Sequence, residues 1–182
     1  GRRRNRQHQV RVFIDFEASS LSDESYPVEV GWVFEDGRAA EYLIRPAPDW
    51  TDWDAEAEAI HGISRETLLR EGTRHDLVCA SLVAALSGHA IHASSPSWDG
   101  KWLSVLLRGA GRPRHLLRLT DSDEAFVDAA RQRLGEDADE AAIAALIAAA
   151  RETVEAEPVL HRALADARRE WRIWMQVRGA ER

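Results

Sequence analysis

The spacing of apolar residues changes along the chain, and these changes predict its elements. Residues 10–16 are mostly apolar, β-branched or aromatic, which is typical of a strand. Residues 28–35 and 38–45 have the same character, and Asp36 and Gly37 between them are typical of a hairpin turn. The beginning of the chain therefore predicts an antiparallel meander of three strands.

Beyond residue 50, helical spacing dominates. The predicted helices are 54–60, 75–86, 98–108, 121–134, 137–155 and a last one that starts near Pro158. Short strands are predicted at 90–93 and 115–119. The last helix is expected to bury a stripe made of Leu160, Leu164, Ala167, Trp171, Trp174 and Met175. This order predicts an α/β fold with a mixed five-stranded sheet flanked by helices.

Asp15 and Glu17, at the end of the first predicted strand, are the first candidates for chemistry. Side chains two residues apart on a strand point to the same face. Two neighbouring carboxylates on a buried strand repel each other and lose hydration, and a divalent cation such as Mg²⁺, which takes oxygen ligands, removes that cost. The alternative is a strand end with two solvated acids, and the pair alone does not decide between them.

Three further residues join this pair as candidates. Asp99 opens a helix, where the helix dipole favours an acid, so a simple helix cap is its alternative interpretation. His161 and Asp166 lie about 140° apart on a regular helix. Both reach one site only if His161 lies in the turn before the helix and Asp166 in its first turns. The alternative for His161 is a surface or core position without chemistry.

Together these residues resemble the DEDDh 3′–5′ exonucleases, the DnaQ-like family with a ribonuclease H-like fold. Asp15-Phe16-Glu17 is similar to the first motif of that family, and Trp98-Asp99 to the Phe-Asp of its second motif. Residues 161–167 resemble the third motif, in which four residues separate histidine from aspartate. Residues 60–64, Ile-His-Gly-Ile-Ser, are similar to the Ile-His-Gly-Ile-Thr stretch of the family.

The resemblance implies a two-metal site. Two Mg²⁺ or Mn²⁺ ions would be held by Asp15, Glu17, Asp99 and Asp166, and His161 would be the general base that takes a proton from water. The residues expected at the terminal nucleotide are Ala18, Ser19, His61 and Ile63. The family usually has Gly where this chain has Ser20, and His-Asn where it has Ser94-Ser95. These departures leave open how the nucleotide is held.

We therefore expect a metal-dependent 3′–5′ exonuclease that releases nucleoside 5′-monophosphates from single-stranded or frayed 3′ ends. RNA or short oligonucleotides are favoured over DNA, because the chain shows no segment for tethering to a polymerase. The alternative is a catalytically silent module of the same fold that binds nucleic acid or a partner protein. The sequence also leaves a homodimer open.

Length and composition set the remaining expectations. The 182 residues fit one domain, which we expect at 10–178, with an alanine-rich helical segment at 121–155 inside it. Residues 1–9 are expected to be a basic, disordered arm, because chain ends are poorly ordered unless tied down. Contact between this arm and a phosphate backbone is the alternative.

Charge and cysteine content limit the partners and the compartment. The net charge of −7 argues against sequence-independent binding along duplexes, which needs a basic face. It does not exclude nucleic acid, since a metal-dependent nuclease must gather carboxylates. The single cysteine, Cys79, excludes an internal disulfide and suits a reducing cytoplasm. No stretch approaches the ~18 apolar residues of a membrane span, so we expect no membrane partner.

Overall fold

The computed structural model describes residues 10–179, and the basic arm predicted at 1–9 lies outside them. The strands are β1 (Arg11–Ala18), β2 (Pro27–Phe34), β3 (Ala39–Arg45), β4 (Thr73–Arg74), β5 (Ala90–Ala93) and β6 (Leu119–Asp121). The helices are α1 (Ala55–His61), α2 (Arg65–Glu71), α3 (His75–Leu86), α4 (Pro96–Gly109), α5 (Ser122–Leu134), α6 (Glu140–Glu155) and α7 (Ala163–Arg178). Within this part of the chain, no helix has the length and apolar character needed to cross a membrane.

The strands form one mixed sheet in the order β4-β3-β2-β1-β5-β6. Strands β1, β2 and β3 are the antiparallel meander that the sequence predicted, while β5 runs parallel to β1 and β6 parallel to β5. The predicted α/β class with a mixed sheet is confirmed.

Strand β1 lies in the middle of the sheet and divides the core. Its residues Val12, Ile14 and Phe16 are buried in a cluster with apolar residues of α3 and α4. Phe13 points to the other face and packs with residues of α5, α6 and α7. Because side chains alternate along a strand, Asp15 shares the face of Phe13. The acids of β1 are therefore directed at the layer that contains α7.

Helix α7 packs tightly against Gly31 of β2, which pairs with Asp15 of β1. A Cβ atom at Gly31 would lie 2.5 Å from the backbone nitrogen of Leu164 and 2.6 Å from its Cα. Only glycine lets two backbones come this near. The first turn of α7 is thus fixed against the middle of the sheet, beside the acids of β1.

The sheet differs from the prediction in two places. Strand β4 was not predicted and brings the sheet to six strands by pairing with the end of β3. Strand β6 comprises Leu119–Asp121, so the prediction of a strand at 115–119 was wrong except at its last residue. Strand β5 is only four residues long, and its Ile91 pairs with Leu119, which sets where β6 begins.

The last helix begins at Ala163, later than predicted. His161 has a φ of 51°, which lies outside the right-handed helical region. The regular helix therefore begins only after this residue. Leu160 was predicted in the buried stripe, but it lies before the helix and its side chain is 65% exposed. Ala167 and Trp174 of that stripe are buried, as expected.

Candidate metal centre

Three carboxylates converge between β1 and α7. Asp15, Glu17 and Asp166 each offer one oxygen, and these oxygens lie within 4.8 Å of one another. Asp15 and Glu17 come from one face of β1, and Asp166 comes from the first turn of α7. The structure therefore brings together three residues that the sequence proposed as ligands, although 149 positions separate Glu17 from Asp166 (166 − 17).

The electrostatics of this cluster are unfavourable without a counter-charge. Burial, followed by the charges of Asp99 and Glu17, raises the pKa of Asp15 well above its usual range. Burial and the neighbouring Asp166 raise the pKa of Glu17 to about 9. Oδ2 of Asp15 is buried and has no hydrogen-bond partner among the described residues. A hard divalent cation fits this donor set, because it prefers carboxylate oxygens and would neutralise their charge.

Asp99 lies beside the trio but is not part of it. It is in the first turn of α4, and only 2% of it is exposed. One of its oxygens, Oδ1, accepts a hydrogen bond from the backbone N–H of Phe16 at 3.2 Å, which ties α4 to β1 between the two acids of that strand. Burial raises the pKa of Asp99 to about 7, against the effect of hydrogen bonds from backbone groups. Its role as a further metal ligand stays a prediction.

His161 and Asp166 have the arrangement that the sequence required of them. His161 lies in the turn before α7 and is exposed, while Asp166 lies in the first turn of the helix. Burial raises the pKa of Asp166, whereas a hydrogen bond with Glu17 and the charge of His161 lower it. His161 therefore lies in an exposed turn that leads directly into the helix that carries Asp166.

Glu170 is an acid that the sequence interpretation missed. It lies on α7, four residues after Asp166, and residues at this spacing share a helix face. Its Oε2 is buried without a hydrogen-bond partner within residues 10–179, and burial raises its pKa to about 7. Its charge raises the pKa of both Asp15 and Asp99. The signal in the sequence was the four-residue spacing from Asp166.

Ala18 and Ser19, two of the residues proposed to contact the nucleotide, lie at the end of β1 and in the loop that follows it. Ala18 follows a bulge after Glu17, and Ser19 is fully buried. The hydroxyl of Ser19 donates to Asp52 at 2.8 Å, its N–H donates to the carbonyl of Tyr26, and its carbonyl accepts from the N–H of Asp54. Ser19 therefore shapes this loop through its own hydrogen bonds, and its contact with a nucleotide stays a prediction.

His61 and Ile63 are also buried, at 5% and 4% exposure. Nδ1 of His61 accepts the backbone N–H of Ile63 at 3.0 Å, whereas its Nε2 is buried without a partner in the described chain. Burial lowers the pKa of His61. Ile63 packs in a small core with Tyr26 and Leu68. Both residues have structural contacts, and their role toward a substrate stays a prediction.

The acid cluster predicts how stability depends on pH. The folded-state pKa of Glu17 is raised from 4.5 to about 9 and that of Asp99 from 3.8 to about 7, so the fold favours the protonated carboxyl groups. Their contribution is fully present below the pKa values of the unfolded chain and is lost as the pH rises through those of the folded chain. We expect the Tm in EDTA to fall between about pH 5 and pH 9, as measured by calorimetry.

A divalent cation should reverse this loss. At 100 times its Kd, Mg²⁺ or Mn²⁺ would stabilise the fold by about 2.7 kcal/mol, which raises the Tm of a chain of this size by about 5–10 °C. The gain should be largest at alkaline pH, where the carboxylates are ionised. An equal Tm at every pH, with and without the cation, would contradict this account of the cluster.

Comparisons with known proteins place the fold. No protein-family model and no curated protein matches the sequence. The structure of E. coli exonuclease I in complex with a 5cy-dT13 oligonucleotide matches with a TM-score of 0.68 and 15% identity, covering 96% of this chain and 42% of that chain. The zinc-bound form of the E. coli exonuclease I complex with single-stranded DNA matches with a TM-score of 0.65 and 16% identity, covering 91% and 39%.

The complex of E. coli exonuclease I with a dA16 oligonucleotide gives a similar result, with a TM-score of 0.66, 14% identity, and coverage of 94% of this chain and 41% of that chain. The present chain thus spans about two fifths of the length of these proteins. At such identities the likeness shows the fold alone, which is the ribonuclease H-like α/β fold that the sequence resemblance implied.

Proposed function

We propose that this chain is a metal-dependent 3′–5′ exonuclease of the DEDDh type, which releases nucleoside 5′-monophosphates from single-stranded or frayed 3′ ends. The observation that carries the proposal is the convergence of Asp15, Glu17 and Asp166 within 4.8 Å on the fold of exonuclease I. Several of the solved structures that this chain resembles hold a DNA oligonucleotide or single-stranded DNA, and one of them also holds zinc. Those ligands support a nucleic-acid substrate and a divalent cofactor here.

The roles of the site residues are part of this proposal. Asp15, Glu17, Asp166 and Asp99 would hold two Mg²⁺ or Mn²⁺ ions, which would activate a water molecule and stabilise the charge on the attacking and leaving oxygens. An imidazole nitrogen of His161 would accept the proton of that water. The product would leave with its phosphate on the 5′ carbon.

The finer parts of the proposal come from the sequence. RNA or short oligonucleotides remain the favoured substrates, although the solved relatives hold dT13 and dA16, so single-stranded DNA belongs in every test. A single domain at 10–178 and a cytoplasmic location also stay predictions. The homodimer that the sequence left open gains no support from residues 10–179.

A panel of labelled substrates tests the proposed function. RNA, single-stranded DNA and blunt duplex of equal length, each labelled at the 5′ end, are incubated with Mg²⁺ or Mn²⁺ and with EDTA. We expect shortening from the 3′ end of the single strands, nucleoside 5′-monophosphate as the product, and no reaction in EDTA. Blunt duplex should be cut more slowly, because its 3′ end must fray before it reaches the carboxylates.

The same panel decides between the enzyme and a silent module. If no substrate is shortened in either metal, while the single strands still shift in a binding assay, the catalytically silent module is the better interpretation. A 3′-blocked oligonucleotide serves as the matched control. Shortening of that control would indicate an endonuclease and contradict the proposed direction of attack.

A further inference from the structure

We propose that Glu29 and Arg162 form a positioning pair that holds the turn with His161 in its working geometry. This inference rests on the proposed function, since it assigns the pair a purpose toward the general base. Neither residue belongs to the carboxylate trio. Glu29 comes from β2 and Arg162 immediately follows His161, so the pair joins the central sheet to the turn.

The contacts of Glu29 show how strongly this turn is held. Only 2% of Glu29 is exposed. Oε1 accepts from Nε of Arg162 at 2.9 Å and from the backbone N–H of Ala163 at 2.9 Å. Oε2 accepts from Nε of Arg162 at 3.1 Å and from Nη2 at 2.6 Å. A guanidinium bound through two nitrogens is fixed in orientation as well as in distance.

These bonds hold both the side chain of Arg162 and the backbone that follows it. The side chain is held by the carboxylate, and the next backbone N–H, the first of α7, is held by the same carboxylate. His161, one residue earlier, has a φ of 51°, a conformation that a residue other than glycine adopts at a cost. The ion pair supplies a contact that keeps the turn in this conformation.

The position of Glu29 in the sheet connects the turn to the trio. Glu29 pairs in register with Glu17 on β1. The carboxylate of Glu17 faces the metal site, whereas both oxygens of Glu29 are occupied by Arg162 and Ala163. Two neighbouring acids on the same face therefore have different tasks. Glu17 is available to a cation, and Glu29 places His161 relative to it.

A paired substitution tests this assignment without leaving a buried charge uncompensated. Glu29→Gln combined with Arg162→Met removes the ion pair, and the amide of Gln can still accept the N–H of Ala163. We expect kcat on the best substrate of the panel to fall about 10- to 100-fold, the range seen when a group that orients an active-site residue is lost. KM and the Kd for Mn²⁺, measured by electron paramagnetic resonance, should each change less than about twofold.

Arg162→Lys and a distant ion pair provide the controls. Lysine keeps the charge but lacks the fork of donors, so this variant should lie between the parent and the paired variant. Asp36→Asn combined with Arg38→Met removes an exposed ion pair of 2.7 Å in the β2–β3 turn, and should leave kcat unchanged. An unchanged kcat in the Glu29/Arg162 variant would overturn the proposal. A weaker Mn²⁺ Kd in step with kcat would overturn it too, since the pair would then serve the metal ligands.

Hydrogen–deuterium exchange gives a second readout that needs no activity. In the paired variant, exchange should rise at least about tenfold in peptides covering 157–166, because the N–H of Ala163 loses a charged acceptor. Exchange in β1 should stay as in the parent. Unchanged exchange at 157–166 overturns the positioning role. A parent protein that fails to cut any oligonucleotide refutes the proposed function instead, while the exchange result still shows whether the pair holds the turn.

Discussion

An Asp15→Asn variant should lose at least about 10³-fold in the rate of oligonucleotide shortening, which corresponds to about 4 kcal/mol of transition-state stabilisation. Asp15 belongs to the carboxylate trio, and its pKa is raised by burial and by the charges of Asp99 and Glu17. Asparagine fills the same space but removes the charge that would attract a cation. In EDTA near neutral pH, the variant should therefore have a higher Tm than the parent.

For this variant, the cleavage rate should fall while the Tm in EDTA rises. The rate is measured with the labelled single strand in Mn²⁺, and the Tm by calorimetry with and without Mn²⁺. Asp137→Asn is the matched control, because Asp137 is an exposed acid in the loop before α6 and should change neither value. A lower Tm of Asp15→Asn in EDTA would indicate that the carboxylate serves the fold rather than a cation.

Gly31→Ala is expected to damage the fold and the site together. The new Cβ would lie 2.5 Å from the backbone nitrogen of Leu164, so α7 must move away from β2. Overpacking of this kind costs about 1–3 kcal/mol of the free energy of unfolding. The same shift moves Asp166 relative to Asp15, and a displacement of about 1 Å at a reacting centre can lower kcat by about 10²-fold.

Gly100→Ala separates this effect from the addition of a methyl group as such. Gly100 lies in α4, and a Cβ there would meet no atom within 4 Å. Alanine in a helix should raise the free energy of unfolding by about 0.5–1 kcal/mol relative to glycine. Calorimetry and chemical denaturation measure both variants. If Gly31→Ala were as stable and as active as the parent, the close approach of α7 to the sheet would not be needed.

The parts of the fold that the sequence predicted depend on local patterns. The sequence of β1 has the residue types of a strand, and that of α3 has apolar residues at helical spacing. Both segments also have clear end signals, so their predicted positions agree closely with the structure. The three acids at 15, 17 and 166 were grouped through their resemblance to known motifs, since nothing local says that residues 149 positions apart meet.

The parts that the sequence did not predict depend on pairing between distant segments. Strand β6 begins where Ile91 offers it a partner, and a periodic pattern does not contain that information. At the beginning of helix α7, the backbone N–H of Ala163 is bound by Glu29, a residue of the distant strand β2. A single glutamate in the otherwise apolar run Val-Glu-Val was visible in the sequence, but its partner was not. Glu170 was missed although its four-residue spacing from Asp166 was visible, because the sequence does not show that its carboxyl oxygen Oε2 is buried.

The outermost strands of the sheet, β4 and β6, are two and three residues long. Each leaves only a short row of free backbone donors and acceptors at its border, and short borders discourage the strand-to-strand joining that leads to aggregates. Strand β4 pairs with only Ile44 and Arg45 of β3, so residues 39–43 of β3 form a longer strand edge without a strand partner within residues 10–179, and self-association by strand addition would be expected there.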